Sequence, residues 1–552
     1  MRTVLGWVLV AGLTAAAAAQ KSAAPVVHVA FPTGAESALG AQISALLADP
    51  AVARAHWGIA VTELDGTPIY GFREGELYRP ASNTKLFTTA AAMALLGPES
   101  TVQTSVELIR SKGGKVANQV VLRGMGDPGL SGQDFPYRTP AELKAAGLPV
   151  PVAGSVDGLR ILDGFADETV KRGVKRVEGD VVGVDRIWVW EPYPIAWDIG
   201  DMLTGDGAPV SALTINDNLL NLTVTPGTKV GDAATASVVP DIGYYQFDVK
   251  VKTVAAGAQA SLQVERAPGA KVVRIYGTIA MDKPYKTEIA IMDPAEFAAM
   301  ALKKKLEEHG IKVTGVARAE HFLPIDGEGF YRESHEPVDF AIRASNVVAS
   351  TTPSGAITPT GPCIDCGTPG GLTHTSPTLA EDVKETLKIS QNLHAELMMR
   401  RLGGKFGDPM KNTTAQGARV VRQFLVSAGL DGDDFLFYDG SGMSSHDLVA
   451  PRATVKLLAY AATQPWFAAW KAALPVGGVD GSLTSRFTDA PLKGHVFAKT
   501  GTLGESRALA GYLDCASGKQ VVFSIMVDDH TPGSPADRVA MDKIVAAIAG
   551  EL

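Results

Sequence analysis

The sequence predicts an α/β protein in which one domain, an antiparallel sheet flanked by helices, is interrupted by one or two inserted mainly β domains. Three observations carry this expectation. A hairpin and a buried helix stand near the start, and helices followed by a three-strand meander and a last helix stand at the end. Between them, from about 101 to 346, the chain breaks into short β-like runs punctuated by Gly, Pro and Asp. At 552 residues, with 46% hydrophobic and 20% charged content, the chain is long enough for two or three domains.

Taken in order, "MRTVLGWVLVAGLTAAAAAQ" joins a positive Arg2, a short apolar run and small residues at Ala17, Ala18 and Ala19. This reads as a secretory signal peptide over 1–19, too short and alanine-rich for a membrane span. No later segment is continuously apolar enough to cross a bilayer, so an exported, periplasmic protein is expected. The stretch from His56 to Leu77 alternates apolar and polar residues around Asp65-Gly66, a hairpin signal. It leads into "RPASNTKLFTTAAAMALLG", where helix-opening residues precede a buried apolar run closed by Gly97 and Pro98. Residues 20–100 are thus the first segment of the split domain, 101–346 the insertion and 347–552 the second segment.

Within the insertion, runs such as "QVVLRG", "VEGDVVGVD" and "KVVRIYGTIA" read as strands, and "PAEFAAMALKKKLEEHG" as an amphipathic helix. After a loop rich in Pro, Gly and Thr, helices begin near Leu379. They give way to the strands "HVFAKTGTL", "RALAGYLDC" and "QVVFSIMVDD" and a C-terminal helix.

The formal net charge is -8, without blocks of Lys or Arg, which disfavours nucleic acid and anionic membranes as partners. Three cysteines are too few to staple a chain of this size. Cys363 and Cys366 lie in the loop "GPCIDCGTPG", suited to a local closure rather than to a redox motif opening a helix, and Cys515 stands alone. Ten histidines show no zinc-binding pattern, so no metal and no cofactor is expected.

Ser82 and Lys85 share a helical turn, which places a nucleophile and a base on one face, with the Ser82 amide at the positive end of the helix. Composition alone yields about two Ser-x-x-Lys matches in such a chain, yet this is the only one present. Ser390-Gln391-Asn392 is the only Ser-x-Asn, and Lys499-Thr500-Gly501 the only Lys-Thr-Gly. Each alone fits a local cap or an exposed strand end. In this order, on these elements, the three together resemble the signature of active-site serine penicillin-recognising enzymes.

The interval from Lys85 to Ser390 is far longer than that from Asn392 to Lys499. In this the chain resembles the class C low-molecular-mass penicillin-binding proteins, the D-alanyl-D-alanine carboxypeptidase/endopeptidase family. "GMGDPGL", "GDGAPVSALTINDN", "DGSGMSSHDLV" and "LPVGGVDGSLTSRF" look like that family too. Gln391 departs from it, since Asp commonly stands there.

The resemblance implies hydrolysis of peptidoglycan stem peptides through an acyl-serine, with β-lactams as covalent inhibitors. Ser82 is then the nucleophile and Lys85 its base. An ordinary lysine is protonated at neutral pH, so Lys85 must be desolvated or set beside a second cation, for which Lys499 is the obvious group. Ser390 relays a proton to the leaving amine, Asn392 holds Lys85 and a substrate amide, and Lys499 with Thr500 binds the terminal carboxylate. Gly501 leaves room against the strand. The amides of Ser82 and Thr502 form the oxyanion hole, and substrate adds to the strand near Thr502 and Leu503. Asp185 in "GDVVGVDRIW" is implied to meet an amino group of the peptide. A β-lactamase and a non-catalytic peptidoglycan- or penicillin-binding protein are the alternatives. A Ser-His reading of Ser441 or Ser444 with His446 lacks a third member.

Overall fold

The computed structural model describes residues 29–32, 37–109, 114–151, 157–323, 329–338, 340, 371–408, 411 and 413–552. Cys363 and Cys366 lie outside them. The hairpin forms where Asp65-Gly66 predicts it. Gly66 takes φ +90°, Asp65 accepts a hydrogen bond from the Thr67 amide at 2.9 Å, and strands His56–Glu63 and Pro68–Phe72 pair antiparallel across the turn.

That hairpin is completed by the other end of the chain. The strands run in the order Val496–Leu503, Ser506–Asp514, Gln520–Asp528, His56–Glu63, Pro68–Phe72, all antiparallel, so Val496–Leu503 is an edge strand. Its neighbours are apolar on both faces because both faces are covered. Ile59, Leu509, Phe523 and Ile525 pack under the terminal helices Ala38–Leu47 and Ala536–Glu551. Ala510, Tyr512, Val522 and Met526 face the buried helix Thr84–Leu95 and the helices Asn392–Phe406, Thr414–Ser427 and Pro451–Ala462.

Val338 packs in a core of this first sheet, whereas a separate core, running from Val106 to Ile311 and joined by Leu372, surrounds a second five-stranded sheet, ordered Ala317–Phe322, Val181–Val189, Gln119–Arg123, Gln103–Ile109, Leu372–Thr375. This part is less purely β than its strand runs suggest. Two of the sheet's pairings are parallel, and helices Arg160–Lys171 and Pro294–Glu308 pack on each other beside it. Among the described residues, three three-stranded sheets complete the region. The last strand of the five, Leu372–Thr375, comes from the returning chain and pairs with Gln103–Ile109. Thr378 and Glu381 then cap the helix Leu379–Lys388 reciprocally.

Candidate active site

The sequence places Ser82 in a first helical turn, and the structure puts it in a 3-10 turn, Ala81–Asn83, that runs straight into the helix Thr84–Leu95. The turn is strained at its entrance: Ala81 sits at φ +46°. What holds it is backbone from two directions. Gly442, at φ +86°, packs so close that a Cβ there would overlap the Ala81 carbonyl and reach within 3.0 Å of the Ser82 nitrogen. Gly501 passes on another side, where a Cβ would lie 2.6 Å from the Pro80 oxygen and 3.2 Å from the Ser82 nitrogen. The room that Gly501 leaves is therefore room for the nucleophile's own turn.

Lys85 is fully buried beneath Ser82. Its ammonium donates to Ser82 Oγ at 2.9 Å, to Asn392 Oδ1 at 2.6 Å and to the Ser441 carbonyl at 2.6 Å. Asn392 opens the helix Asn392–Phe406, and Gln391, with its side chain accepting from the Leu393 amide at 3.0 Å, is the cap. Gln391 thus does at the helix start what an aspartate would do. Ser390 is left-handed, at φ +63°, which aims its hydroxyl back at the edge strand. Lys499, also fully buried, donates to Ser390 Oγ at 2.9 Å and to the Thr500 carbonyl at 2.7 Å. Two hydroxyls half-exposed in a cleft thus sit on two dehydrated lysines.

Burial dominates the electrostatics. It draws the Lys85 ammonium down to about 8, against the opposing pull of Asp439, Glu396, Asp206 and Asp447. Lys499 is held well below its ordinary range by burial and by repulsion from Lys85. A lysine so shifted has a sizeable neutral fraction near neutral pH and can take a proton from Ser82.

Sequence reasoning missed the supports of Lys85. In "DGSGMSSHD", Asp439 accepts from the Gly442 and Ser444 amides at 2.7 Å each, and Glu396 accepts from the Gly440 and Ser441 amides at 2.9 and 2.8 Å. These carboxylates fold the loop so that the Ser441 carbonyl meets the ammonium. The signal was present as an Asp-Gly-Ser-Gly turn, but its partner Glu396 lies on a distant helix. No Ser-His pair forms here: Ser441 donates to Asp439, Ser444 to the Ile195 carbonyl, and the His446 ring meets the edge of Tyr438. The stretch Leu474–Phe487 braces the cleft too. Asp480 binds Lys388 at 2.7 Å, and Ser482 reaches the Thr500 hydroxyl at 2.7 Å.

The insertion reaches the site through Asp206, whose carbonyl accepts from Asn392 Nδ2 at 3.0 Å. Asp185 does not join the cluster. Its carboxylate is buried among Ser211, at 2.9 Å, and His321, at 2.9 Å, and His321 bridges on to Asp293 at 3.1 Å. It lines neither cavity beside the catalytic groups. Thr502 and Leu503 lie on the edge strand opposite Arg507 and Ser506, with Thr502 exposed to the cleft. Thr500, Gly501 and Thr502 line a cavity of about 170 Å3 that is also lined by Arg486, Arg507 and Arg538.

A sheet flanked by helices, with Ser-x-x-Lys, Ser-x-Asn and Lys-Thr-Gly converging at the head of a buried helix, defines a serine enzyme of the penicillin-recognising class. The profile of the D-Ala-D-Ala carboxypeptidase 3 (S13) family matches residues 39–322 and 371–548, and the chain belongs to that family. It is 29% identical to a D-alanyl-D-alanine carboxypeptidase of Actinomadura sp. (strain R39) over 522 residues, 92% of this chain and 84% of that one. It is 23% identical to the D-alanyl-D-alanine carboxypeptidase DacB of Haemophilus influenzae over 82% of this chain and 81% of that one. The crystal structure of penicillin binding protein 4 (dacB) from the same organism superposes with a TM-score of 0.71, at 20% identity, over 91% of this chain and 98% of the other. A further crystal structure of that protein, complexed with a β-lactam, gives 0.64 at 19% identity over 92% and 98%.

Proposed function

We propose that this chain is a serine-type D-alanyl-D-alanine carboxypeptidase and DD-endopeptidase acting on peptidoglycan stem peptides, inhibited covalently by β-lactams. The observation that carries this reading is the dehydrated Lys85 ammonium 2.9 Å from Ser82 Oγ. Neutral Lys85 takes the Ser82 proton as Oγ attacks the penultimate D-alanine carbonyl. The developing oxyanion is received by the amides of Ser82 and Thr502. The C–N bond then breaks, and the amine leaves with a proton delivered through Ser390. Asn392 fixes Lys85, while Lys499 and Thr500 hold the terminal carboxylate. Water repeats the sequence on the ester and frees Ser82.

Residues 20–100 and 347–552 are read as the peptidase domain and 101–346 as its insertion; their separate apolar cores support the division except around the return of the chain, where Val338 packs in a peptidase core and Leu372 in that of the insertion. Residues 1–19 are read as an export signal and the mature protein as periplasmic. No helix among the described residues is long and apolar enough to cross a membrane. The test incubates the protein, beside Ser82→Ala, with a D-Ala-D-Ala pentapeptide and with a reporter penicillin. Release of D-alanine and a lasting adduct, both lost in the variant, are expected. Rapid penicillin turnover with the peptide ignored makes it a β-lactamase, and no reaction with either leaves a binding role.

A further inference from the structure

The cleft extends past Ser390. A cavity of about 350 Å3 walled by Ser390, Gln391 and Asn392 shares Leu219, Glu288 and Ile389 with a second one of about 630 Å3. The far wall of the larger limb is an arm of the insertion, from Gly132 to Pro151. This arm is braced. Thr139 and Glu142 cap its short helix Pro140–Ala145 reciprocally, and Glu142 is tied to Lys384 of the peptidase helix at 2.7 Å.

Three apolar side chains line this limb while exposed: Ile389 at 48%, Leu148 at 43% and Val150 at 45%. Scattered singly such residues need no explanation. Here they line one trough together with polar Asn221 and Glu288, and Ile389 stands at its catalytic end, next to Ser390.

A single amino acid does not fill this space; sites of roughly 300–1,000 Å3 hold molecules several times its size. In the reaction proposed above the acyl half stays on Ser82 and the amine half leaves beside Ser390, where this trough begins. We infer that the limb between Ile389 and the Gly132–Pro151 arm binds the amine-side peptide of a cross-linked substrate, a leaving group that is itself a stem peptide rather than free D-alanine. Aliphatic parts of that peptide cover Ile389, Leu148 and Val150, and its amides meet Asn221 and Glu288. The inference rests on the peptidase reading and adds where the second peptide lies.

The experiment compares the full chain with Leu148→Asp/Val150→Asp and the milder Leu148→Ala/Val150→Ala. Three reactions are followed: acylation by a reporter penicillin, D-alanine release from a pentapeptide, and cleavage of a D-Ala cross-linked peptide dimer. The first two are expected to stay within about twofold, which also shows that the variants fold. Dimer kcat/KM is expected to fall about tenfold in the aspartate pair, the loss of about 1.4 kcal/mol of contact, and less in the alanine pair. Dimer cleavage that tracks pentapeptide cleavage in every variant, or a wild type that cuts the pentapeptide but not the dimer, overturns the subsite. A wild type inert to penicillin and pentapeptide alike overturns the peptidase reading itself, and the subsite with it.

Discussion

The ammonium of Lys85 lies 2.9 Å from the hydroxyl of Ser82, and its two other hydrogen bonds end on Asn392 and on the carbonyl of Ser441. All three donors of the cation are therefore used, and all of it is buried. Lys85→Arg keeps a charge there but supplies a group that does not lose its proton. Penicillin acylation is expected to drop by about 10²–10⁴-fold, the usual worth of general base catalysis. Stopped-flow acylation checks this, and an arginine variant within tenfold of wild type removes Lys85 as the base.

The depressed lysine also sets a pH dependence. The reactive form of the base is neutral, and burial draws its pKa down to about 8. The acylation rate is expected to rise tenfold per unit below that value and to level off above it. An ordinary lysine would push the rise beyond pH 10. A profile of acylation rate against pH from 6 to 9.5, flat across the whole interval, contradicts the assignment.

The sequence makes the three motifs legible because each depends on local order: Ser82 and Lys85 on one turn, Ser390 and Asn392 at a helix start, Lys499 to Gly501 on a strand. The meander from Val496 to Asp528 is readable for the same reason, since its strands pair with their neighbours in sequence. Closure of the sheet by pairing His56–Glu63 with Gln520–Asp528 has no local signature, being a contact between the two ends of the chain. Glu396 is illegible likewise: on a helix of mixed composition it reads as one more solvated charge, whereas it is fully buried and accepts from the Gly440 and Ser441 amides. Asp185 shows the opposite failure, where a plausible residue in a plausible strand is committed to His321.

Gly442 gives a sharper test of how the nucleophile's turn is held. Any side chain there meets the Ala81 carbonyl, and the φ of +86° is unfavourable to L-residues besides. Gly442→Ala is expected to slow acylation by more than tenfold, because the Ser82 turn must shift to admit the methyl. Global unfolding should change by no more than a few kcal/mol, about the range of ordinary strained-site substitutions. Denaturant unfolding and acylation, measured together, separate the two effects. Acylation at the wild-type rate shows that the Gly442 approach does not position Ser82.

His321 provides a test of stability rather than of rate. Burial by itself lowers an imidazole pKa, but hydrogen bonds to Asp185 and Asp293, one on each nitrogen, carry this one up to about 10. The Trp190 ring, stacked at 4.1 Å, favours the cation further. Asp185 is itself raised by burial, so the two partners point opposite ways. The net direction follows the histidine, since both its nitrogens face carboxylates. A pKa higher in the folded than in the unfolded protein stabilises fully below about 6.5, and that stabilisation is lost as pH rises through about 10. The bridge ties strand Val181–Val189 to Ala317–Phe322 and to the start of the helix Pro294–Glu308, so its loss loosens the insertion. Wild type should melt above His321→Gln at pH 7, with the gap narrowing by about 2 °C or more by pH 10.5. A gap that stays constant or widens with pH means that His321 is neutral in the folded protein and that the bridge is an uncharged hydrogen bond.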